Sequence, residues 1–275
     1  MCIRDSFSAD YQGTGYSINS RTAFQYLSDH QGIDQDFSPR SIYFERQDMK
    51  QKMFSEELNI KSTTPGRYKW LFGAFGFWQG IDNTVTLDYF TKDYATRKLY
   101  DTPAYGVAFY HQSTIDDLLT RGLSLTFGIR YDYEHTSNDF LFYKETDGGS
   151  EQMDAFDSRL KFSQVTPKIA LQYMFPSTGM LYATVTKGYK TGGFNTSFDR
   201  EEDRTFRPET SWNYELGGHF SCMEGAVRGD FALFYIDCRD QQLTIFPEGT
   251  TTGRMMTNAG RTRSFGGELS LQVSP

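Results

Sequence analysis

The sequence predicts an all-β chain: an antiparallel meander of about ten strands that forms part of a large transmembrane β-barrel, open or incompletely closed. Three observations predict this. Aromatic residues reach 16% while the hydrophobic total is only 38% and the mean hydropathy is −0.57, so Phe and Tyr supply apolar area that a soluble core would take from aliphatic side chains. Aromatic girdles at two membrane interfaces account for such an excess. From Gly122 to Glu134, Leu123, Leu125, Phe127, Ile129, Tyr131 and Tyr133 alternate with Ser124, Thr126, Gly128, Arg130, Asp132 and Glu134. That period of two gives one apolar face with tyrosines at one end and one face whose charges no dry core would accept unpaired. The connections, finally, alternate between short and long.

The other strand-like segments are Ser17 to Leu27, Gln51 to Lys61, Arg67 to Gln79, Pro103 to Gln112, Leu160 to Phe175, Met180 to Lys190, Thr210 to Ser221, Val227 to Asp240 and Asn258 to Val273. Each is near the ~10 residues that a tilted strand needs to cross a bilayer. Short turns are expected at Ser62 to Gly66, Ser113 to Arg121, Pro176 to Gly179 and Met223 to Gly225. Long polar loops are expected at Ser28 to Arg46, Gly80 to Thr102, His135 to Arg159, Thr191 to Glu209 and Gln241 to Thr257. Short turns on one side and long loops on the other mark an outer-membrane barrel, the short turns being periplasmic. Hairpins this tight also force each strand to pair with its sequence neighbours.

One segment breaks its own alternation. Leu160 and Phe162 are apolar at even positions, whereas Ile169, Leu171, Tyr173 and Phe175 are apolar at odd ones. Pro167 lies at the change and lacks a ladder donor, so a β-bulge around Thr166 and Pro167 is expected, the alternative being that the residues before it mark a loop end. Residues 1–13 are read as an ill-defined N-terminal segment, artefactual at its start, because MCIRDSFSAD has neither the basic nor the apolar region of an export signal. Residues 14–275 are read as the partial barrel.

Several function classes find no support. The longest apolar run, Leu71 to Trp78, contains two glycines and is too short for a transmembrane helix. A net charge of −7 and a pI near 5.2 argue against a nucleic-acid binder. Cys2, Cys222 and Cys238 lack metal-type spacing. On a hairpin turning near Glu224, Cys222 and Cys238 fall about twelve residues out of register, roughly 40 Å, too far for a disulfide. His30, His111, His135 and His219 are scattered without partners at ligand spacing. No nucleophile elbow is present, and the glycines around Lys190 (Gly188, Gly192, Gly193) are in the wrong order for a phosphate loop. No catalytic residue, metal site or cofactor is expected.

The stretches FSQVTPKIALQYMF (162–175), LYATVTKGYKTGGFN (181–195), RPETSWNYELG (207–217), FSEELNI (54–60) and NAGRTRSFGGELSLQ (258–272) resemble barrel segments of TonB-dependent receptors. They cover most of the chain from residue 14 onward, in the family's order. The resemblance implies a wall of about 22 strands around a plug that precedes it in the chain. Neither the plug, nor the TonB-contacting segment before it, nor the terminal strand is found, so the chain reads as the middle of such a wall and the plug is expected upstream in the parent gene. The implied function is energised uptake of a scarce ligand across the outer membrane of a Gram-negative bacterium. The implied cargo is a ferric siderophore or other metal chelate, with cobalamin, haem and oligosaccharides as alternatives. The implied partners are TonB, through the plug, and outer-membrane lipid and lipopolysaccharide. A passive porin and a soluble all-β carbohydrate-binding module remain as other readings of the strand pattern.

Candidate residues follow from polarity and the resemblance together. Arg130, Asp132, Lys168 and Glu215 fall on the wet face and would meet the plug or the ligand path. Lys190, Arg200 and Arg204 border the loop after the 181–195 strand and offer cationic contacts to an anionic ligand, although mixed-charge loops are ordinarily solvated surface. The stretch from His135 to Arg159, with Asp139, Glu145, Asp147, Glu151, Asp154 and Asp157, reads as a solvated acidic loop. Its functional reading is cation sharing with lipopolysaccharide or repulsion of anionic solutes.

Overall fold

The computed structural model describes every residue except 35–38, 177, 196–197, 199, 246–254 and 274–275. Its strands are β1 (Cys2–Gln12), β2 (Tyr16–Ile33), β3 (Tyr43–Ser62), β4 (Tyr68–Tyr89), β5 (Ala95–Ile115), β6 (Leu123–Thr146), β7 (Gly149–Phe175), β8 (Gly179–Lys190), β9 (Gly193–Phe194), β10 (Thr205–Phe206), β11 (Glu209–Cys222), β12 (Val227–Ile245) and β13 (Met255–Val273). Eleven of them form one antiparallel sheet in the order β1 to β8, β11, β12, β13, and β9 pairs with β10 in a separate ribbon. The order in space is the order in sequence, and β1 does not meet β13, so the sheet is an unclosed meander. Among the described residues the other pairing is the two-residue ribbon β9–β10, far too small to be the second layer of a sandwich.

The alternation read from 122–134 is the alternation of the wall. On β6 the odd residues Phe127, Ile129 and Tyr131 are exposed, while even-numbered Gly128, Thr136, Asn138 and Phe140 are buried. The even face is the concave one, because its side chains converge across intervening strands. Tyr110 on β5 crosses Gly73 on β4 and donates to Glu57 at 2.7 Å, with the Asn59 side chain 2.8 Å away, both on β3. A Cβ on Gly73 would lie 2.0 Å from that ring, so only glycine leaves the passage. Trp78, Tyr105, Val107, Phe109, Tyr214, Leu216, Leu233 and Tyr235 stand exposed on the opposite, convex face, as a lipid-facing surface requires.

Four features differ from expectation. Residues 2–12, read as ill-defined, form β1 and pair with β2 at eleven successive positions, although every one of them is exposed. The strands number eleven in the sheet rather than about ten, and they are long: β4 has 22 residues, β6 has 24 and β7 has 27. The expected loops at 80–102 and 135–159 are therefore mostly ladder, closed by the turns 90–94 and 147–148. Once a strand rises past the lipid, neither face needs to be uniformly apolar, and polar strand reads as loop although its backbone hydrogen bonds continue.

The fourth concerns the expected bulge. The β6–β7 ladder runs unbroken through Ile129↔Pro167 and Arg130↔Thr166, and its one irregularity lies at Phe142/Tyr143, where Met153 is the extra residue on β7. What changes near Pro167 is the environment. Below it the convex face meets lipid and is apolar (Ile169, Leu171). Above it the convex face meets water and carries Asp157, Arg159 and Lys161, while Phe156, Leu160 and Phe162 turn to a packed interior.

Candidate ligand chamber in the lumen

That packed interior is built where the long strands rise above the lipid-facing band. Tyr100 on β5 meets Phe140 on β6 at 5.1 Å between ring centroids, and Phe140 meets Phe156 on β7 at 4.7 Å. From the connection between β8 and β11, Phe198 folds back to 5.6 Å from Phe156 and 6.4 Å from Phe140. The Arg204 guanidinium lies 4.2 Å above Phe156 and 5.5 Å from Phe198. Such a contact is worth about 0.5–2 kcal/mol, more as water is excluded. Phe162 closes the lower side, against Gly192.

Polar groups are set into these aromatic walls. Asn138 is 1% exposed and accepts from the Thr102 hydroxyl at 3.1 Å, but its Nδ2 finds no partner, and neither does the buried Nε of Arg204. Each such donor costs about 1–3 kcal/mol when left unmade. Lys98 lies over Phe142 at 5.5 Å, and burial lowers its pKa against the opposing pull of Glu45. Burial likewise raises the pKa of the Tyr100 phenol, with Glu45 adding to the shift, so this ring stays neutral and can donate. The part-exposed rings and the Arg204 guanidinium, whose Nη2 pairs with Glu201 at 3.2 Å, give the lumenal side of the cluster an aromatic and cationic character.

Side-chain amides hold the connection 191–208 against β12 and β13. Asn195, 5% exposed, donates to the carbonyls of Met256 and Asp203, both at 2.8 Å, and accepts from the Met256 N–H at 2.7 Å. Gln242 donates to the carbonyls of Thr191 (2.7 Å) and Arg207 (3.1 Å). Asn258 accepts from the Arg207 N–H at 2.7 Å and donates to its carbonyl at 2.9 Å. A loop read as solvated is thus fastened at both ends.

The residues singled out from sequence separate into groups. Arg204 is in the chamber. Arg200 is exposed and closes the 3-10 turn Glu201–Arg204 through Asp203 (2.9 Å) and Glu202 (2.6 Å), and Lys190 is exposed at the end of β8. Arg130 and Asp132 face the lower lumen and bind one another at 2.8 Å, with the guanidinium 5.2 Å from the Tyr110 ring. Glu215 accepts from Tyr182 at 2.7 Å on the far side of the chain, and Lys168 is exposed on the same face, one strand from Gly128. The acidic stretch from His135 to Arg159 is a hairpin arm, and among the described residues no three carboxylates, histidines or cysteines converge closely enough for a metal ion. Sequence reasoning missed Tyr100, Phe140, Phe156 and Phe198. The signal that could have found the chamber was the parity change at Leu160 and Phe162.

The family model for the TonB dependent receptor-like β-barrel matches residues 3–274. Among curated proteins, the pesticin receptor of Yersinia enterocolitica is 28% identical over 154 residues, which is 55% of this chain and 21% of that protein. The chain therefore spans only a minor part of that relative's length. Among solved structures, the ferric yersiniabactin uptake receptor from Yersinia pestis superposes with a TM-score of 0.79 at 21% identity, over 98% of this chain and 39% of that one. The siderophore receptor PiuA from Acinetobacter baumannii does so with a TM-score of 0.73 at 14% identity, over 98% and 43%.

Proposed function

This chain belongs to the TonB-dependent receptor-like β-barrel family and lies in the outer membrane of a Gram-negative bacterium, and from that premise we propose that it serves energised uptake of a metal chelate, a ferric siderophore in particular. The observation that carries the reading is the aromatic cluster on the lumenal face above the lipid band, bordered by Lys98 and by Arg204 stacked on Phe156. An anionic chelate with aromatic donor groups would meet this cluster from its lumenal side, at the part-exposed Phe156, Phe198 and Arg204. One of the solved neighbours is named as a ferric yersiniabactin uptake receptor and another as a siderophore receptor, which supports the class without selecting a compound. Arg204 is the proposed ligand contact, with Lys190 and Arg200 at the chamber's margin. Arg130, Asp132, Lys168 and Glu215 are proposed to face a plug, through which TonB would act.

The test is uptake of radiolabelled ferric siderophores under iron limitation by cells making the full-length gene product. Arg204→Ala and Phe156→Ala should each raise the half-saturating concentration about tenfold, the loss expected for one desolvated cation–π contact with its hydrogen bond. Dissipating the inner-membrane proton gradient should abolish uptake. Uptake that persists after dissipation would indicate a passive channel and overturn the proposal.

A further inference from the structure

On the convex face, two residues above the rim tyrosine Tyr235, a carboxylate is surrounded by three arginines. Asp237 on β12 pairs in the ladder with Arg263 on β13, and Arg239 pairs with Arg261. The Asp237 carboxyl is held by Arg261 (Nη2 to Oδ2, 2.8 Å) and lies 3.9 Å from Arg263 Nε. Alternation puts all four on the face of the exposed Leu233, Tyr235 and Phe265. Asp237 is 8% exposed, whereas Arg239, Arg261 and Arg263 are all exposed. Among the described residues no carboxylate lies within ion-pairing distance of Arg239. The neighbouring outward positions Thr210 and Trp212 on β11 are uncharged, and Asp237 reaches Arg261 and Arg263 but not Arg239.

Depth identifies what such a group meets. Asp237 lies ten residues beyond Val227, where β12 leaves its short turn. At about 3.3 Å per residue and a tilt near 40°, that is about 25 Å along the membrane normal, the height of the apolar band. The cluster therefore stands at the outer edge of the lipid, where the headgroups of the outer leaflet lie, with Tyr214 and Tyr235 packed 6.1 Å apart just beneath it. Guanidinium groups held by a buried carboxylate are pre-oriented, and their free N–H groups fit phosphate oxygens in paired geometry.

We propose that Arg239, Arg261 and Arg263, with Asp237 as the group that positions Arg261, form a binding site for the phosphates of an outer-leaflet glycolipid of the lipid A type. The site lies on the outside of the wall, apart from the lumenal chamber. It rests on the outer-membrane location and not on the transport reading, so either can fail alone.

The experiment uses the full-length gene product extracted from outer membranes, washed in detergent and assayed for retained lipid A through its hydroxylated fatty acids. The triple variant Arg239→Gln, Arg261→Gln, Arg263→Gln should retain at most about a tenth of the wild-type lipid. A control altered elsewhere on the convex face, Arg159→Gln with Lys161→Gln, should retain the wild-type amount. If the triple variant does not fold, Arg239→Gln alone, which leaves Asp237 paired, should still lower retention several-fold. Rebinding of the washed protein should occur with vesicles containing lipid A, fail with vesicles of dephosphorylated lipid A or phosphatidylglycerol, and resist millimolar inorganic phosphate. Wild-type retention by the arginine variants, or equal binding to dephosphorylated lipid A, would overturn the proposal. Displacement by inorganic phosphate would also overturn it, by showing a generic anion site.

Discussion

Above the lipid band, β4 to β7 and β11 to β13 are built on opposite plans. The first group carries its ladder upward through strands of 21 to 27 residues, with a turn as short as 147–148. Its concave side is packed with Tyr100, Phe140 and Phe156. Its convex side presents a row of aspartates in register, Asp82↔Asp101↔Asp139↔Asp157. In the second group the ladder from β8 is interrupted by 191–208, that segment is tied down by Asn195, Gln242 and Asn258, and the convex side is basic. The longest ladders are those whose concave side is filled by aromatic residues, which take the place of lipid as the apolar partner. Where aromatic residues supply an interior, the hairpin continues. Where they do not, side-chain amides satisfy the backbone groups that a ladder would have paired.

Phe140→Ala tests the aromatic interior most directly. If the aromatic interior supports the raised strands, the variant should lose about 3–5 kcal/mol in urea unfolding of the full-length protein in lipid vesicles, with hydrogen exchange rising first in 136–160. Truncation to alanine at Leu119, 87% exposed in the turn between β5 and β6, should change stability by under about 0.5 kcal/mol. Equal losses at both sites would mean that the raised strands stand on their ladder alone.

Asn195→Ala tests the other plan and should have a smaller, more local effect. It removes one acceptor and two donor contacts and leaves the Met256 N–H without its partner, a cost of about 2 kcal/mol. The expected readout is proteolytic nicking between 191 and 208 with the urea midpoint nearly unchanged. A shifted midpoint without nicking would show that the clamp belongs to the wall and not to the loop.

The smallest effect concerns the aspartate row. Like charges directly opposite one another destabilise a sheet, and the Asp101 pKa is raised by partial burial first and by Asp82 and Asp139 after it. A carboxyl whose folded pKa lies above its unfolded value costs nothing below the unfolded value. Its penalty grows as pH climbs through the folded pKa. Asp101→Asn should therefore stabilise the protein by up to about 1 kcal/mol at neutral pH, and the gain should vanish below about pH 4. A gain that persists in acid would place the effect outside this repulsion.

The sequence alone determined the meander, its neighbour-to-neighbour pairing and the lipid-facing parity of residues such as Ile129, Tyr131, Tyr214 and Leu216. These are legible because lipid and lumen impose opposite polarities on alternate residues of one strand, so the pattern is local. The tertiary structure decided what happens above the lipid. There both faces can be mixed, the alternation loses its contrast, and raised strand reads as loop. Only the fold showed that Leu160 and Phe162 turn inward without a bulge, because the apolar partner has changed sides. It also separated Arg204, stacked on Phe156 from 48 residues away, from Arg200 in its surface ion pairs. Three cations in neighbouring positions look alike in sequence. What distinguishes them is the burial supplied by strands far along the chain, and no local pattern encodes that.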